Sequence, residues 1–473
     1  MKGGKGLIPI FMDIDSKINE FVDKYFDSIL KALDRVIKIR SVMGEPKEGM
    51  PFGEGPAKAL EETLKIAKEL GFDPVNVDNY AGHVEYGSGG KLYAVLGHLD
   101  VVPEGDIERW ESNPYELSIR DGKMYARGVS DDKGPSIGAL FALKIASELV
   151  KEPKNKVRII FGTNEENGSQ CLKYYFTKQP YPDAAVTPDG DFPLVFAEKG
   201  IVTYRISKEL KRDYTTVLTK LNAGTAANVV PEECTAEIQT DKVNEIVYLI
   251  ENYNSMCKYE YAVNKNKITV KSLGKSAHGA HPEAGINAAA GMLELLSKID
   301  FGPDNTIIRT LYERLGKEYY GIGLGISGQD DVSKKLTCNL GILSIENGKV
   351  NAIINIRHPI FYNVDMLTLQ IKQAMNNFEV EQLSYSKPLY VSKDSDFVKL
   401  LLEIYKSETN DESEPISIGG GTYARSVPYG VAYGAVFPGE ETRMHQPNEN
   451  WSLESYRKFI KIYTKLIYRW LTN

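Results

Sequence analysis

Two histidines and several carboxylates in this chain sit where metal chemistry could be done. His98 and Asp100 close the run Tyr93-Ala94-Val95-Leu96-Gly97-His98-Leu99-Asp100. The apolar part reads as a buried strand. On an extended strand positions two apart share a face, so His98 and Asp100 point the same way. One chemistry for such a pair is an imidazole ligand oriented by a neighbouring carboxylate. Asp131 and Asp132 lie in the glycine-bracketed turn Gly128-Val129-Ser130-Asp131-Asp132-Lys133-Gly134, before a helix. Glu165 and Glu166 follow Asn164, Asp189 sits in Thr187-Pro188-Asp189-Gly190, and His445 in Met444-His445-Gln446-Pro447. Taken singly, each has an ordinary alternative: a surface pair, a packed core histidine or a solvated turn. Together, two histidines and four or five carboxylates at strand ends or turns suit a site for two divalent cations.

The elements that must position these residues alternate in type. Helical spacing of Ile18, Phe21, Val22, Tyr25, Ile29 and Leu33 predicts a helix over 15–40, capped by Asp15 or Ser16. A second helix is predicted over 56–70, with Pro56 in its first turn and Gly71 at its end. Strands are predicted near 74–78 and 82–86, and His83 there reads as a packed or surface residue. Residues 117–126 read as a hairpin turning at Asp121-Gly122. A helix over 135–150 and strands over 157–162 and 184–187 follow, the strands delivering Glu165, Glu166 and Asp189. Strands that alternate with helices and carry candidate ligands at their ends argue for an α/β domain with a mostly parallel central sheet. Beyond residue 194 the pattern shifts. Strands near 200–207, 234–240 and 267–273, helices near 286–299 and 363–376, and a hairpin turning at Asn347-Gly348 indicate an inserted α+β domain with an antiparallel sheet. The expected division is 1–194 and 388–473 for the first domain and 195–387 for the insert. In the last segment a helix near 396–407, a strand over 431–437 and an amphipathic helix over 451–472 are expected.

Composition narrows the function classes. With 473 residues the chain is too long for one ordinary core. A hydrophobic content of 42% with 26% charged residues fits a soluble enzyme. The net charge of −7 argues against a nucleic-acid partner, since no basic field would neutralise phosphates. The four cysteines, Cys171, Cys234, Cys257 and Cys338, are widely spaced, so reduced thiols and a cytoplasmic location are expected, with Cys171 starting a helix and packing. No apolar run is long enough to span a membrane. Residues 1–11 make a poor signal peptide and are expected to be a dispensable tail or an artefact of start-site choice.

Nine segments resemble, in order, those of the M20 metallopeptidases, in particular the PepV-like dipeptidases: GHLDVVPEGD, YARGVSDDKGP, GTNEENGS, TPDGDFP, AANVVPE, GKSAHGAHPEAGINA, NIRHP, GGGTYAR and MHQPNE. The resemblance runs from about residue 15 to the C-terminus. It implies a zinc-peptidase-type catalytic domain with a lid domain, and two Zn2+ ions per subunit, with Mn2+ or Co2+ as substitutes. By this resemblance His98 and Asp189 bind one ion, Glu166 and His445 the other, and Asp131 rather than Asp132 bridges them. Asp100 fixes the imidazole of His98, and Glu165 is the general base. His278 on the lid stabilises the oxyanion, whereas His281 is a loop residue. Asn228 contacts substrate, and Arg357 binds its C-terminal carboxylate, with His358 facing away. The triple glycine at 419–421 is either a plain turn or, at Gly420 and Gly421, a backbone approach to substrate. A lid closing on both ends of a short peptide implies a dipeptidase, and its length implies a monomer. The rival expectations are an M20 deacylase of N-acyl amino acids, a carnosinase-like preference for a β-alanyl N-terminus, and a non-catalytic peptide-binding protein.

Overall fold

The structure, a computed structural model, describes residues 8–473. Of the expected tail, residues 1–7 lie outside the described residues, and 8–11 belong to the first helix, Ile8–Ile37. That helix starts upstream of the predicted caps, so Asp15 and Ser16 are interior positions. Pro9 does not stop it, because the N–H that proline lacks is unpaired in a first turn anyway. The predicted stripe is buried at Ile18, Val22, Ile29 and Leu33.

The chain forms two compact units. One contains the described residues up to Phe196, with Val391–Ile416 and Gly421–Asn473; the other contains Ala197–Tyr390 with Ser417–Gly420.

In the first unit, four central strands run parallel in the order Lys156–Gly162, Leu92–His98, Ala184–Thr187, Gly430–Ala432. The expected parallel arrangement is confined to this centre. Ala81–Gly87 and Val75–Val77 extend one margin antiparallel, and Val195 pairs antiparallel with Ala432 at the other. The strand expected over 431–437 ends at Ala432. Gly434, at φ 76°, turns the chain and packs so close to Phe192 that a Cβ there would lie 2.4 Å from its ring. The His98 strand is covered on both faces, which is why it reads as a continuous apolar run. Tyr93 stacks on Trp470 of the helix Leu453–Thr472 at 4.9 Å between ring centroids. Gly97 abuts Ser136 of the helix Lys133–Leu149, where a Cβ would lie 2.2 Å from the hydroxyl. Ala94 and Leu96, of opposite parity, pack with Cys171, Tyr175 and Tyr423. The hairpin Ser118–Arg120/Lys123–Tyr125 turns at Asp121 and Gly122, both at positive φ, and Asn450–Ser452 adds a third strand to it.

The second unit is built on an eight-stranded antiparallel sheet. Its order is Lys258–Asn264, Lys267–Leu273, Glu233–Gln239, Val217–Ala223, Thr337–Glu346, Lys349–His358, Gly200–Glu209, Glu379–Ser386. Alternate residues Ala352, Ile354 and Ile356 are buried in one core with Leu293 and Leu296 of the helix Ala288–Leu296 and with Leu367 and Ile371 of Val364–Ala374. Asn347 and Gly348, at φ 51° and 80°, form the predicted hairpin turn. Ser417–Gly420, predicted to lie with the last segment of the first domain, groups here because Lys199 donates to the Ile418 carbonyl and Arg357 to that of Gly419. Among the described residues no helix is long and apolar enough to cross a membrane.

Candidate metal centre

Strand register brings the first ligands together. His98 pairs with Gly162 on one neighbouring strand, and Val95 with Val186 on the other. All three strands run the same way, so the residues just past their ends converge at one edge: Leu99–Asp100 in sequence, then Glu165, Glu166 and Asp189. Asp131 is the penultimate residue before the helix Lys133–Leu149, and His445 arrives from the far end of the chain at φ 63°.

The six candidate donors form a chain of close approaches within the first unit. His98 Nε2 lies 3.0 Å from Asp131 Oδ1 and 3.9 Å from Asp189 Oδ2. His445 Nε2 lies 2.9 Å from Asp131 Oδ2 and 3.3 Å from Glu166 Oε1. Asp131 thus offers one oxygen to each histidine. Two sets, His98/Glu165/Asp189 and His98/Asp131/Glu166, each bring donor atoms within 4.8 Å of one another. Glu165, expected only as a base, therefore also belongs to a set of donors that could hold a cation.

Asp100 acts differently from the predicted carboxylate–imidazole pairing. His98 Nδ1 meets the main-chain oxygen of Asp100 at 3.0 Å, with the carboxylate further off at 3.5 Å. Donation from Nδ1 leaves Nε2 as the ligating nitrogen. The Asp100 carboxylate accepts the N–H groups of Glu165 at 2.9 Å and Glu166 at 3.1 Å, holding the backbone of the paired acids. Asp132, fully buried, accepts the His98 N–H at 2.9 Å and the Ser136 hydroxyl at 3.1 Å. Tyr423 supports the other side of His98, its ring edge-on at 5.8 Å, with its hydroxyl 2.8 Å from Cys171 Sγ. The sequence singles out the glycines before Tyr423 but not Tyr423 itself, because a buried tyrosine carries no ligand signature.

The electrostatics call for positive charge. Burial, then the charge of Asp131, pushes the Asp189 carboxyl up to about 7. Burial raises Glu165 well above the usual carboxylate range, with Asp189 adding to it, and burial with Asp131 raises Glu166. Against the burial that opposes its charge, Asp131 is held far below that range by hydrogen bonds to His445 and His98. Hydrogen bonds to Asp131 and Glu166 lift His445 to about 11. His98 Nε2 and Glu166 Oε1 are buried, and the approaches given for them are to other members of the cluster: Asp131 and Asp189 for the imidazole, His445 for the carboxylate. His98 and Asp131 are buried, Glu165, Glu166 and Asp189 half-buried and His445 exposed, and a cluster of imidazole and carboxylate donors that face one another in this way fits divalent cations of borderline hardness.

The remaining predicted residues lie in the second unit, apart from Gly421. Asn228 and His278 are both exposed, on adjoining segments: Val229 bridges to His278, and Gly279 donates to the Asn228 carbonyl at 2.7 Å. Asn339 ties the Asn228 loop down through the carbonyls of Ala227 and Val229 at 2.9 Å each. His278 Nδ1 accepts from the Ala280 N–H at 3.2 Å, which leaves the proton on Nε2. Arg357 is buried, its Nε donating to Asn355 Oδ1 at 2.8 Å and its Nη1 to the Gly419 carbonyl at 3.1 Å. His358 is fully buried beside Gly200, where a Cβ would meet its ring at 2.0 Å. His281 is exposed and pairs with Glu283 at 3.4 Å. A Cβ on Gly420 would meet only Ile418, at 3.7 Å, while one on Gly421 would lie 2.8 Å from the Arg425 side chain. His83 is buried against the Tyr175 hydroxyl at 2.9 Å, and burial lowers it to about 3, so it is a neutral core residue.

The family model "Peptidase family M20/M25/M40" matches residues 94–469, which span every candidate ligand. A Bacillus subtilis protein named "Putative dipeptidase YtjP" is 33% identical over 454 residues, covering 93% of this chain and 97% of its own length. A Staphylococcus saprophyticus protein of the same description is 34% identical over 463 residues, covering 95% and 98%. Among solved structures, the Saccharomyces cerevisiae di-peptidase Dug1p aligns with a TM-score of 0.57 at 14% identity, covering 96% of this chain and 98% of its own, a likeness of fold. With the family model matching most of the chain and relatives matching nearly all of it, the chain belongs to peptidase family M20/M25/M40 and is a metallopeptidase of that family.

Proposed function

We propose that this metallopeptidase hydrolyses the peptide bond of unblocked dipeptides at a centre for two divalent cations. The observation that carries the reading is Asp131, whose two oxygens each face a different histidine, flanked by Asp189 and Glu166. His98 and Asp189 would hold one ion and Glu166 and His445 the other, with Asp131 between them. Two Zn2+ ions per subunit fit these donors, and Mn2+ or Co2+ are alternatives. Bound there, the cations supply Lewis acidity that polarises the scissile carbonyl and acidifies a water.

The chain's own groups do the rest. Glu165 accepts a proton from the attacking water on a carboxylate oxygen and passes it to the leaving amine nitrogen. Asp100 fixes the N–H groups of Glu165 and Glu166, so the paired acids keep separate directions. His278, with its proton on Nε2, is proposed to donate to the developing oxyanion. Arg357 is proposed to take the substrate's C-terminal carboxylate, and Asn228, Gly420 and Gly421 to contact its backbone. A cytoplasmic monomer acting on small peptides, with no nucleic-acid or membrane partner, completes the proposal. The dipeptide preference is supported by the relatives that match nearly the whole chain, which are named as putative dipeptidases.

The test is a substrate panel: free dipeptides, tripeptides, β-alanyl-histidine, and N-acetyl and N-succinyl amino acids, with products read by mass spectrometry beside a chelated control. Chelator-sensitive cleavage confined to free dipeptides is expected. Cleavage of acyl amino acids alone would transfer the protein to the deacylases, and binding of peptides without cleavage would make it a binding protein.

A further inference from the structure

The segment that carries His445 carries a second acid four residues on, Glu449, to which none of the roles above is assigned. Its side chain is 1% exposed and accepts five donors from one short loop. Oε1 takes the Ser130 N–H at 3.0 Å, the Ser130 hydroxyl at 2.9 Å and the Asp131 N–H at 3.2 Å. Oε2 takes the Gly128 N–H at 3.0 Å and Arg127 Nη1 at 2.7 Å. Successive main-chain N–H groups turned onto one carboxylate form an anion nest, here filled by the protein itself. Gly128, at φ 85°, lets the loop curl around it.

Glu449 is delivered by local pairing. Ala126 donates to the Glu449 carbonyl at 3.2 Å, and Asn450 and Trp451 pair with Tyr125 and Met124 in the small sheet. The carboxylate is thus locked to the chain on both sides of the contact. The Asp131 N–H is one of its donors, and the Asp131 carboxylate is the group that stands between His98 and His445. One side chain therefore joins the loop holding the shared acid to the segment holding the second histidine.

We infer that Glu449 is a positioning residue that fixes Asp131 relative to His445 and so sets how tightly the centre holds its cations. The inference rests on the metal-centre reading above. A purely structural Glu449 would lower thermal stability alone. A positioning Glu449 also changes the cation affinity of protein that remains folded.

The experiment titrates chelator-stripped wild type, Glu449→Gln and Ser130→Ala with Zn2+ and with Mn2+, using a competing chromophoric chelator. Circular dichroism checks the fold, and kcat and KM are measured at saturating and limiting metal. Glu449→Gln keeps the shape but turns an amide N–H2 toward N–H donors. It is expected to bind cations at least tenfold more weakly, and to lose kcat at limiting metal with KM within threefold of wild type. Ser130→Ala removes one donor and leaves Arg127 paired, so it tests the same link if Glu449→Gln does not fold; a threefold or greater weakening is expected. Affinities within twofold of wild type in the folded variants would overturn the inference. Wild type that binds cations but cleaves no peptide would defeat the dipeptidase reading and leave this one standing. Wild type that takes up neither cation would remove both.

Discussion

Glu165 and Glu166 are adjacent, share Asp100 as the acceptor of their N–H groups, and still face different partners. Glu166 Oε1 approaches His445 at 3.3 Å, while Glu165 groups with His98 and Asp189. If Glu165 is the base, Glu165→Gln should keep its fold and metal content and lose about 10²–10⁴-fold in kcat. Activity within tenfold of wild type would reject that role. His278 is exposed and on the other unit, so its replacement should leave the centre's ligands alone. His278→Ala should lower kcat by roughly 10²–10³-fold, the cost of one oxyanion donor, with metal content by elemental analysis unchanged. Loss of metal from that variant would show that His278 does something else.

At the scale of elements, the parallel strands converge their ends at one edge, and the packing beneath that edge is tight. Gly162 lies opposite His98 in the register, and a Cβ there would sit 2.1 Å from the Tyr423 hydroxyl. Tyr423 is fully buried, with its ring against His98, so it has little room to yield. Gly162→Ala should therefore cost about 1–3 kcal/mol, as overpacking does, and should weaken cation binding by displacing Tyr423 from His98. Urea denaturation checks the first effect and metal titration the second. A neutral substitution would mean that the Tyr423 side chain moves aside freely. The predicted elements with strong periodic or turn signals match closely, among them the hairpin turns at Asp121-Gly122 and Asn347-Gly348. Expectations failed where a local pattern had no stop signal. The first helix runs back to Ile8 because its apolar spacing and Pro9 permit it, and the last strand ends early because Gly434 is committed to the approach to Phe192.

For the molecule as a whole, the metal centre makes stability depend on pH and cation together. Burial and like charge raise Asp189 to about 7 and raise Glu165 and Glu166 in the metal-free protein. A carboxyl raised on folding contributes stability that is full below its unfolded value, near 4, and is lost as pH rises through its folded value. For Asp189 that window is about 4 to 7. Bound cations replace those protons, and ligands bind them in the deprotonated form. The rise in melting temperature on adding Zn2+ should therefore be larger at pH 7.5 than at pH 5, measured by thermal scans on chelated and reloaded protein. An equal rise at both values would show that these carboxyls do not titrate with folding.

Sequence alone determines the donor types, the strand-then-ligand order and the alternation that makes one domain α/β and the insert antiparallel, because each is written in local periodicity and turn chemistry. Tertiary structure decides which donors meet. His445 reaches Asp131 across more than three hundred residues, Asp100 turns its carboxylate to the Glu165–Glu166 backbone, Tyr423 packs its ring against His98, and Glu449 accepts the Asp131 N–H. Such contacts depend on register and on packing between distant segments. A buried tyrosine or glutamate far along the chain carries no local pattern that would reveal its partner before the strands have aligned.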